Sequence, residues 1–563
     1  MLKNKITYSI IIILTFLLAG IIRFYNLNQA PPGIWYDEAY NGLDAINTQK
    51  ENKYQIFYPE NYGREGLFIN TIALSFRLFD VSAFSLRLPS AIFGLLTVVG
   101  FFLWLSSLRL HRPTIIIDTI ALATSFYHLN FSRISFRAIM VPLFLVWSFY
   151  FFTKGFQILK KEKNCARQKT LLFFFLSGLL TGIGLHTYIA YRVVPLIFIV
   201  IFLVSIIIFP KFIKKVWLPT IFFLAGAIIS AAPLLLYFKN NPSSFTGRTD
   251  AVSIFNAPNL STGKAFFKSL FLHLQSIFFI GDGNQRHNYN KFPLLPATWS
   301  LFFSIGFIIS LREIFVGILK KFQKEKPLKL FTASLFGQTI FWVMLIPGVL
   351  SLEGIPHFLR IIGITPAIFL ITVIPFEYLH FFYQQIKKEA DNRLKIVRWK
   401  IMQIAYFGLI ATFILVGVSQ VYTYFSLWKT DPLTHEAFQR DQYLLGTFIK
   451  ELPTRKENYL IIKKEISLNK NNRRDISEKS LLFSAYPAIE KYQIYHNNED
   501  FQNLFDKIDC SNTQIILQPN LPLLPLKKIK NYCRNLKLKK IIIKDDIIST
   551  NSEVSPMTIW ILQ

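Results

Sequence analysis

The sequence predicts a mostly α, polytopic bundle of about eleven membrane helices, followed by a small α/β domain outside the membrane. Three observations carry this prediction. Apolar segments long enough to cross a bilayer recur from residue 6 to residue 423, Lys and Arg gather on every second turn between them, and after residue 430 the chain turns to Asn, Lys and Asp with short β-like runs. With 52% hydrophobic residues and 57 Phe among 563, the chain is too apolar for a soluble protein of this length. A net charge of +29 would suit a nucleic-acid binder only if the basic groups shared one soluble face. They lie between apolar segments instead, so nucleic acid is not an expected partner.

The first span, Ile6–Ile22, follows Lys3 and Lys5 and has no small-residue cleavage site behind it, so it reads as an uncleaved helix entering from the cytoplasm. Residues 23–86 form a long outer loop, in which Tyr36–Lys50 and Gly66–Phe79 have the pattern of short amphipathic helices on the membrane surface. Further spans are expected at 88–107, 113–129, 138–153, 171–187, 193–210, 216–237, 297–316, 329–348, 361–383 and 401–423. The basic turns KKEKNCARQK at 160–169, KFIKK at 211–215, KKFQKEKPLK at 320–329 and KKEADNRLKIVRWK at 387–400 all fall on the side of the amino terminus. The expected topology is therefore a multi-pass protein of the cell membrane, with a cytoplasmic amino terminus and an extracytoplasmic carboxyl-terminal domain.

Residues 1–427 make the membrane domain in this reading and 428–563 the outer α/β domain, with strands at 459–464, 513–518, 539–545 and 557–562. Cys510 and Cys533 both lie in it. An oxidising compartment would let them pair, and two buried thiols satisfy the sequence equally well.

The outer turns hold the chemistry. PPGIWYDEAYNGLDA at 31–45 sets Asp37 and Glu38 between aromatics just past the first span, and YGREGLF at 62–68 adds Arg64 and Glu65 in the same loop. A carboxylate held beside a hydroxyl or amide can act as a general base, and a neighbouring acid can hold an acceptor or a metal. The plainer alternatives are acids favoured at a helix start by the helix dipole, and an Arg64–Glu65 pair that serves only itself. Arg133 and Arg137, four apart, would share one helix face and could grip a phosphate in forked geometry, or else snorkel to lipid headgroups. Arg360, His287 and His357, with His128, His186, Arg192, Arg248 and Arg286, are further outer-side groups that would add positive potential.

The acidic pair after the first helix, the long loop, and FRLFDVSAFSLRLPSAIFGLL at 76–96 together resemble the GT-C superfamily of polytopic glycosyltransferases. The likeness is greatest to glycosyltransferase family 39, the protein O-mannosyltransferase-like enzymes and the aminoarabinose transferases. It extends through HLNFSRISFRAIMVPL at 128–143, GDGNQRHN at 281–288 and HFLRIIGITPAIFL at 357–370, covering roughly residues 5–425. The resemblance implies a sugar donor carried on a polyprenyl phosphate, transfer on the outer side, and inversion at the anomeric carbon. It implies Asp37 as catalytic base and Glu38 as the neighbour that positions the acceptor; the outer-side arginines Arg64, Arg133, Arg137 and Arg360 are the expected contacts of the donor phosphate. Glu65, His287 and His357 become candidates for acceptor or divalent-metal contact. The chain departs from relatives by reading GREGLF where many carry a Lys-Pro-Pro run, which leaves phosphate contact there to Arg64. The acceptor class stays open among protein, lipid and glycan. The rivals are a transporter or flippase of a lipid-linked sugar, which would place ionisable groups inside spans and often show repeats, and an inactive scaffold that tolerates loss of Asp37.

Overall fold

Each apolar segment expected to span is helical in the computed structural model, which describes residues 5–161, 167–208, 213–256, 261–322, 329–388 and 393–453. In the carboxyl-terminal part it describes 455, 457–462, 477–496, 508, 510, 513–518, 521, 524–543 and 557–563. Segments 162–166, 209–212, 323–328 and 389–392 of the basic turns lie outside the described residues. The helices begin with α1 (Lys5–Phe24), α2 (Tyr36–Glu51), α3 (Gly66–Phe79), α4 (Ala83–Ser107), α5 (Arg112–Thr124) and α6 (Phe126–Phe131). They continue as α7 (Met140–Lys161), α8 (Arg167–Gly184), α9 (Val194–Ile208), α10 (Ile213–Asn240), α11 (Pro242–Val252) and α12 (Thr262–Gln275). The last long ones are α13 (Ala297–Phe322), α14 (Phe331–Val349), α15 (Thr365–Lys388) and α16 (Arg393–Tyr422).

Among the described residues, nine helices are long and apolar enough to cross a membrane. The two other expected spans are helical but short. Helix α5 has 13 residues and stops where Ser125 leaves helical geometry, and α8 ends at Gly184 in a run of tight turns through Thr187.

The chain divides into two compact units. The first comprises Met1–Tyr25, Gln55–Phe68 and Ser90–Tyr424, and the second Asn26–Tyr54, Ile69–Pro89 and Phe425–Gln563. In the first unit α15 is the central helix, buried at every residue from Thr365 to Glu377. Aromatic rings fill the space around it: Trp299, Phe302, Phe376 and Phe413 form one cluster, and Trp104, Phe149, Phe198 and Phe336 another. Helices α8 and α10 cross backbone to backbone through Gly178 and Gly182. A Cβ at Gly178 would collide with the Phe223 carbonyl, which is the small-residue packing that membrane helices use in place of a hydrophobic drive. The unit buries more charge than the sequence led us to expect, namely Arg23, Asp118, Glu313 and Glu377. Three of them are explained by partners: Arg23 bonds the Ala19 and Ala123 carbonyls, Glu313 the Tyr378 hydroxyl, and Glu377 His111 and Thr114.

In the second unit, helices α17 (Pro432–Ala437), α18 (Arg440–Glu451), α19 (Ser477–Ala485) and α20 (Leu524–Tyr532) accompany a five-stranded sheet. After a short hairpin of β1 (Phe57–Tyr58) and β2 (Arg64–Glu65) in the first unit, the sheet strands are β3 (Glu457–Ile462), β4 (Gln493–His496), β5 (Thr513–Leu517), β6 (Leu538–Ile543) and β7 (Met557–Leu562), in the order β4-β3-β5-β7-β6. Strand β3 pairs parallel with β4 and β5, while β7 runs antiparallel to β5 and β6. Alternation sends Leu460 and Ile462 to a core with Leu445, Ile449 and Leu481, and Tyr459 and Ile461 to a second core with Leu526 and Ile529. Both faces are covered, as a sheet with parallel strands requires. Strand β4 was not legible in the sequence, being only four residues at the sheet edge.

Cys510 and Cys533 are joined in a disulfide across a separation of 23 residues. Closing a loop of this length stabilises a fold by about 3 kcal/mol. Cys533→Ser is expected to lower the unfolding free energy of this unit by that amount in urea titration, and an unchanged midpoint would show the bond to be dispensable.

Candidate active site

Helix α2 is started by Glu38. The Trp35 N–H donates to Glu38 Oε2 at 3.2 Å, so the side chain three residues into the helix satisfies a donor at its entry. The same carboxylate is fully buried and receives Arg87 Nε at 3.1 Å and Nη2 at 3.3 Å. Arg87 also donates to the carbonyls of Leu27 at 3.2 Å, Pro31 at 2.9 Å, and Gly33. Glu38 thus anchors the start of α2. Asp37, one position earlier in the first turn, is half-buried.

The chain leading into α2 is held from its other side by the carboxyl-terminal segment. Arg440 Nη1 donates to the Pro32 carbonyl at 2.6 Å and Ser480 Oγ to the Ile34 carbonyl at 2.7 Å. A Cβ at Gly33 would collide with the Phe438 carbonyl, so glycine is needed there for the close approach.

In the first unit, the β1–β2 hairpin places Arg64 and Glu65 opposite Tyr58 and Phe57. Both are buried, and Arg64 Nε donates to the Glu60 carbonyl at 3.4 Å. Glu65 does not pair with its neighbour. Its oxygens face Arg137 Nε at 3.2 Å and Arg192 Nη2 at 3.6 Å. Arg137 and Arg248 lie on the Tyr188 ring, 5.5 and 6.0 Å from its centroid, and the charges of Arg248 and Arg64 both act on Arg137. Glu65 Oε2 and Arg137 Nε are close enough to form an ion pair but make no hydrogen bond.

Two of the expected phosphate ligands, Arg133 and Arg360, make contacts within the protein in this structure. Arg133 and Arg137 do not share a helix face, because α6 ends at Phe131 and Arg137 opens a separate single turn at 137–139. Arg133 is fully buried, donating to the Ile22, Arg23 and Tyr25 carbonyls at 2.9, 2.8 and 2.7 Å and to the Tyr424 hydroxyl at 3.3 Å. It caps the open carbonyls at the end of α1. Arg360 likewise turns inward within its loop, to Glu353 Oε2 at 2.6 Å, the Glu353 carbonyl at 3.0 Å, and the Ser351 hydroxyl.

His287 and His357 come together with Asp282, a residue of the GDGNQRHN stretch to which sequence reading assigned no role. Asp282 Oδ2 meets His287 Nδ1 at 2.9 Å and accepts the Phe358 N–H at 2.8 Å, and the two imidazole rings lie 4.8 Å apart. His357 donates its backbone N–H to His273 Nε2 at 3.2 Å, while its own Nδ1 is buried without a hydrogen-bond partner. Burial, together with the charges of His287 and Arg360, holds His357 well below the ordinary imidazole pKa, so it is neutral at physiological pH. The donor types suit a divalent metal, and the ligand atoms lie within 4.8 Å of one another, a spread that ligand bonds of about 2.3–2.6 Å can bridge. In this structure the trio is a hydrogen-bonded Asp–His pair beside a second imidazole.

No protein-family model matches the chain, and no curated relative matches it. Among solved structures, the oligosaccharyltransferase of Archaeoglobus fulgidus in its apo form is similar, with a TM-score of 0.53 at 12% identity. The similarity covers 88% of this chain and 65% of that one, so the chain spans just under two thirds of the oligosaccharyltransferase's length. The fold is similar to that of this oligosaccharyltransferase. ArnT from Cupriavidus metallidurans, solved in the apo state and bound to undecaprenyl phosphate, aligns over 98% of this chain and 97% of its own, with a TM-score of 0.49 and identities of 10% and 11%. In this chain the acidic pair follows α1, with Glu38 buried and Asp37 half-buried.

Proposed function

We propose that the protein is an integral membrane glycosyltransferase that moves a sugar from a polyprenyl-phosphate donor to an acceptor on the extracytoplasmic face, with inversion at the anomeric carbon. Asp37 is the general base. The observation that carries this reading is the place of the acidic pair: Glu38 is held by Arg87 and the helix start, and Asp37 stands beside it, half-buried in the first turn of α2. It accepts the acceptor's proton as the acceptor oxygen forms its bond to the anomeric carbon. The bond from that carbon to the phosphate oxygen breaks, and polyprenyl phosphate leaves as an anion.

The phosphate is assigned to Arg137 and Arg64, two buried arginines near one another whose guanidinium groups suit phosphate oxygens. Work of this kind is positioning and charge neutralisation. Arg137→Lys keeps the charge and loses the fork, so the donor KM is expected to rise about tenfold, equivalent to about 1.4 kcal/mol, with kcat nearly constant. Steady-state kinetics over a donor titration check this, and an unchanged KM removes Arg137 from the phosphate. The amino terminus is placed in the cytoplasm and segment 428–563 outside, following the basic turns.

Purified protein in proteoliposomes, given a labelled polyprenyl-phosphate sugar and a panel of protein, lipid and glycan acceptors, tests the reading as a whole. Labelled product supports a transferase. Movement of label across the bilayer without product identifies a flippase and overturns it.

A further inference from the structure

The carboxyl-terminal segment carries no motif of the resemblance, yet its side chains reach the residues just before Asp37. Across Pro31–Ile34, four consecutive carbonyls are each taken by a side chain: Pro31 and Gly33 by Arg87, Pro32 by Arg440, and Ile34 by Ser480. Pro31 and Pro32 contribute no N–H, so the backbone at these two residues can be held only through its carbonyls. Arg87 comes from α4 and grips one side. Arg440 and Ser480 come from α18 and α19 and grip the other.

The contacts continue along α2. Gly42 lies against the Phe483 ring with no room for a side chain, Lys479 sits 5.2 Å from the Tyr40 ring centroid, and Lys50 pairs with Glu490. Ser480 is fully buried and Arg440 nearly so, whereas Lys50 and Glu490 are half exposed and weakly coupled. The buried pair of contacts is therefore where the restraint resides.

From these contacts we infer that Arg440 and Ser480 are positioning residues for the transfer reaction: the carboxyl-terminal domain clamps the Pro32 and Ile34 carbonyls and thereby sets where the first turn of α2 presents Asp37. The inference rests on Asp37 being the base, and it gives the outer domain a catalytic purpose. The clamp is directional, because it acts on the backbone leading to Asp37 and not on the donor. Loosening it misplaces the carboxylate without removing it, and a misplacement of about 1 Å can cost about a hundredfold in rate.

The test uses the full-length protein with Arg440→Ala and Ser480→Ala, singly and together, and Arg440→Lys as the conservative variant. Two readouts are taken: kcat and donor KM for sugar transfer, and hydrogen–deuterium exchange of the amides of residues 33–41. In the double variant, exchange over 33–41 is expected to quicken at least about tenfold while α15 keeps its protection, and kcat to fall by about ten- to a hundredfold with donor KM within about twofold. Arg440→Lys recovers most of the single-site loss, since it returns a donor to the Pro32 carbonyl. Unchanged exchange over 33–41 overturns the clamp. Faster exchange with unchanged kcat, or a loss expressed only in donor KM, overturns its bearing on catalysis. Asp37→Asn, run alongside, reports on the base itself: full activity there removes Asp37 from the reaction and leaves the exchange result standing as a statement about the fold.

Discussion

Asp37→Asn is expected to reduce sugar transfer by about three orders of magnitude, the middle of the range for losing a positioned general base. The amide is nearly isosteric, keeps the first turn of α2 polar, and cannot accept the acceptor's proton. The Glu38–Arg87 pair and the carbonyls before it are untouched, so the unfolding midpoint in detergent should stay with that of the parent protein. Initial rates with labelled donor measure the loss. A mutant with parental rates would remove the base from Asp37 and, with it, the mechanism proposed above.

The second large effect belongs to Arg87. Replacing it with alanine leaves the Glu38 carboxylate buried without its counter-charge and takes the donor from the Leu27, Pro31 and Gly33 carbonyls. Removing one partner of a buried pair costs about 3–5 kcal/mol. Most of the stability of a domain is of that order, so Arg87→Ala is expected to unfold the unit built from Asn26–Tyr54, Ile69–Pro89 and Phe425–Gln563, with loss of transfer as a consequence. Adding Glu38→Leu should restore only part, because the stranded charge disappears while the three carbonyls stay unpaired. Chemical denaturation followed by the exchange protection of β3 and β5 separates the two variants. Equal midpoints for Arg87→Ala and the parent would show the pair to be energetically idle.

The arginines show where reading a sequence stops. Arg133 and Arg137 look like a matched pair because four residues separate them, and that inference holds only on a continuous helix. The chain leaves helix at Phe131, so the two side chains part. Arg133 then goes to carbonyls of α1, 110 residues away in the case of Arg23, and Arg137 goes to Glu65. Arg87 stood within SLRLPSA, a stretch that marked the resemblance, with no sign of its partner. Asp282 was hidden for the same reason in GDGNQRHN, since its bond to His287 depends on the loop's fold. Arg440 and Ser480 lie in a region with no motif, and their contacts to Pro32 and Ile34 span 408 and 446 residues.

What the sequence determined by itself is the membrane class, the position of each long helix, the two short helices of the first loop, four of the five strands of the outer sheet, and the place of the acidic pair. These follow from local quantities: the run of apolar residues a bilayer demands, and the period of a helix or strand. What only the tertiary structure decided is the partner of each buried charge. A buried charge must find a counter-charge or a carbonyl wherever the packed chain offers one, and no pattern along the sequence records a partner that arrives from 49 residues away, as Arg87 does for Glu38.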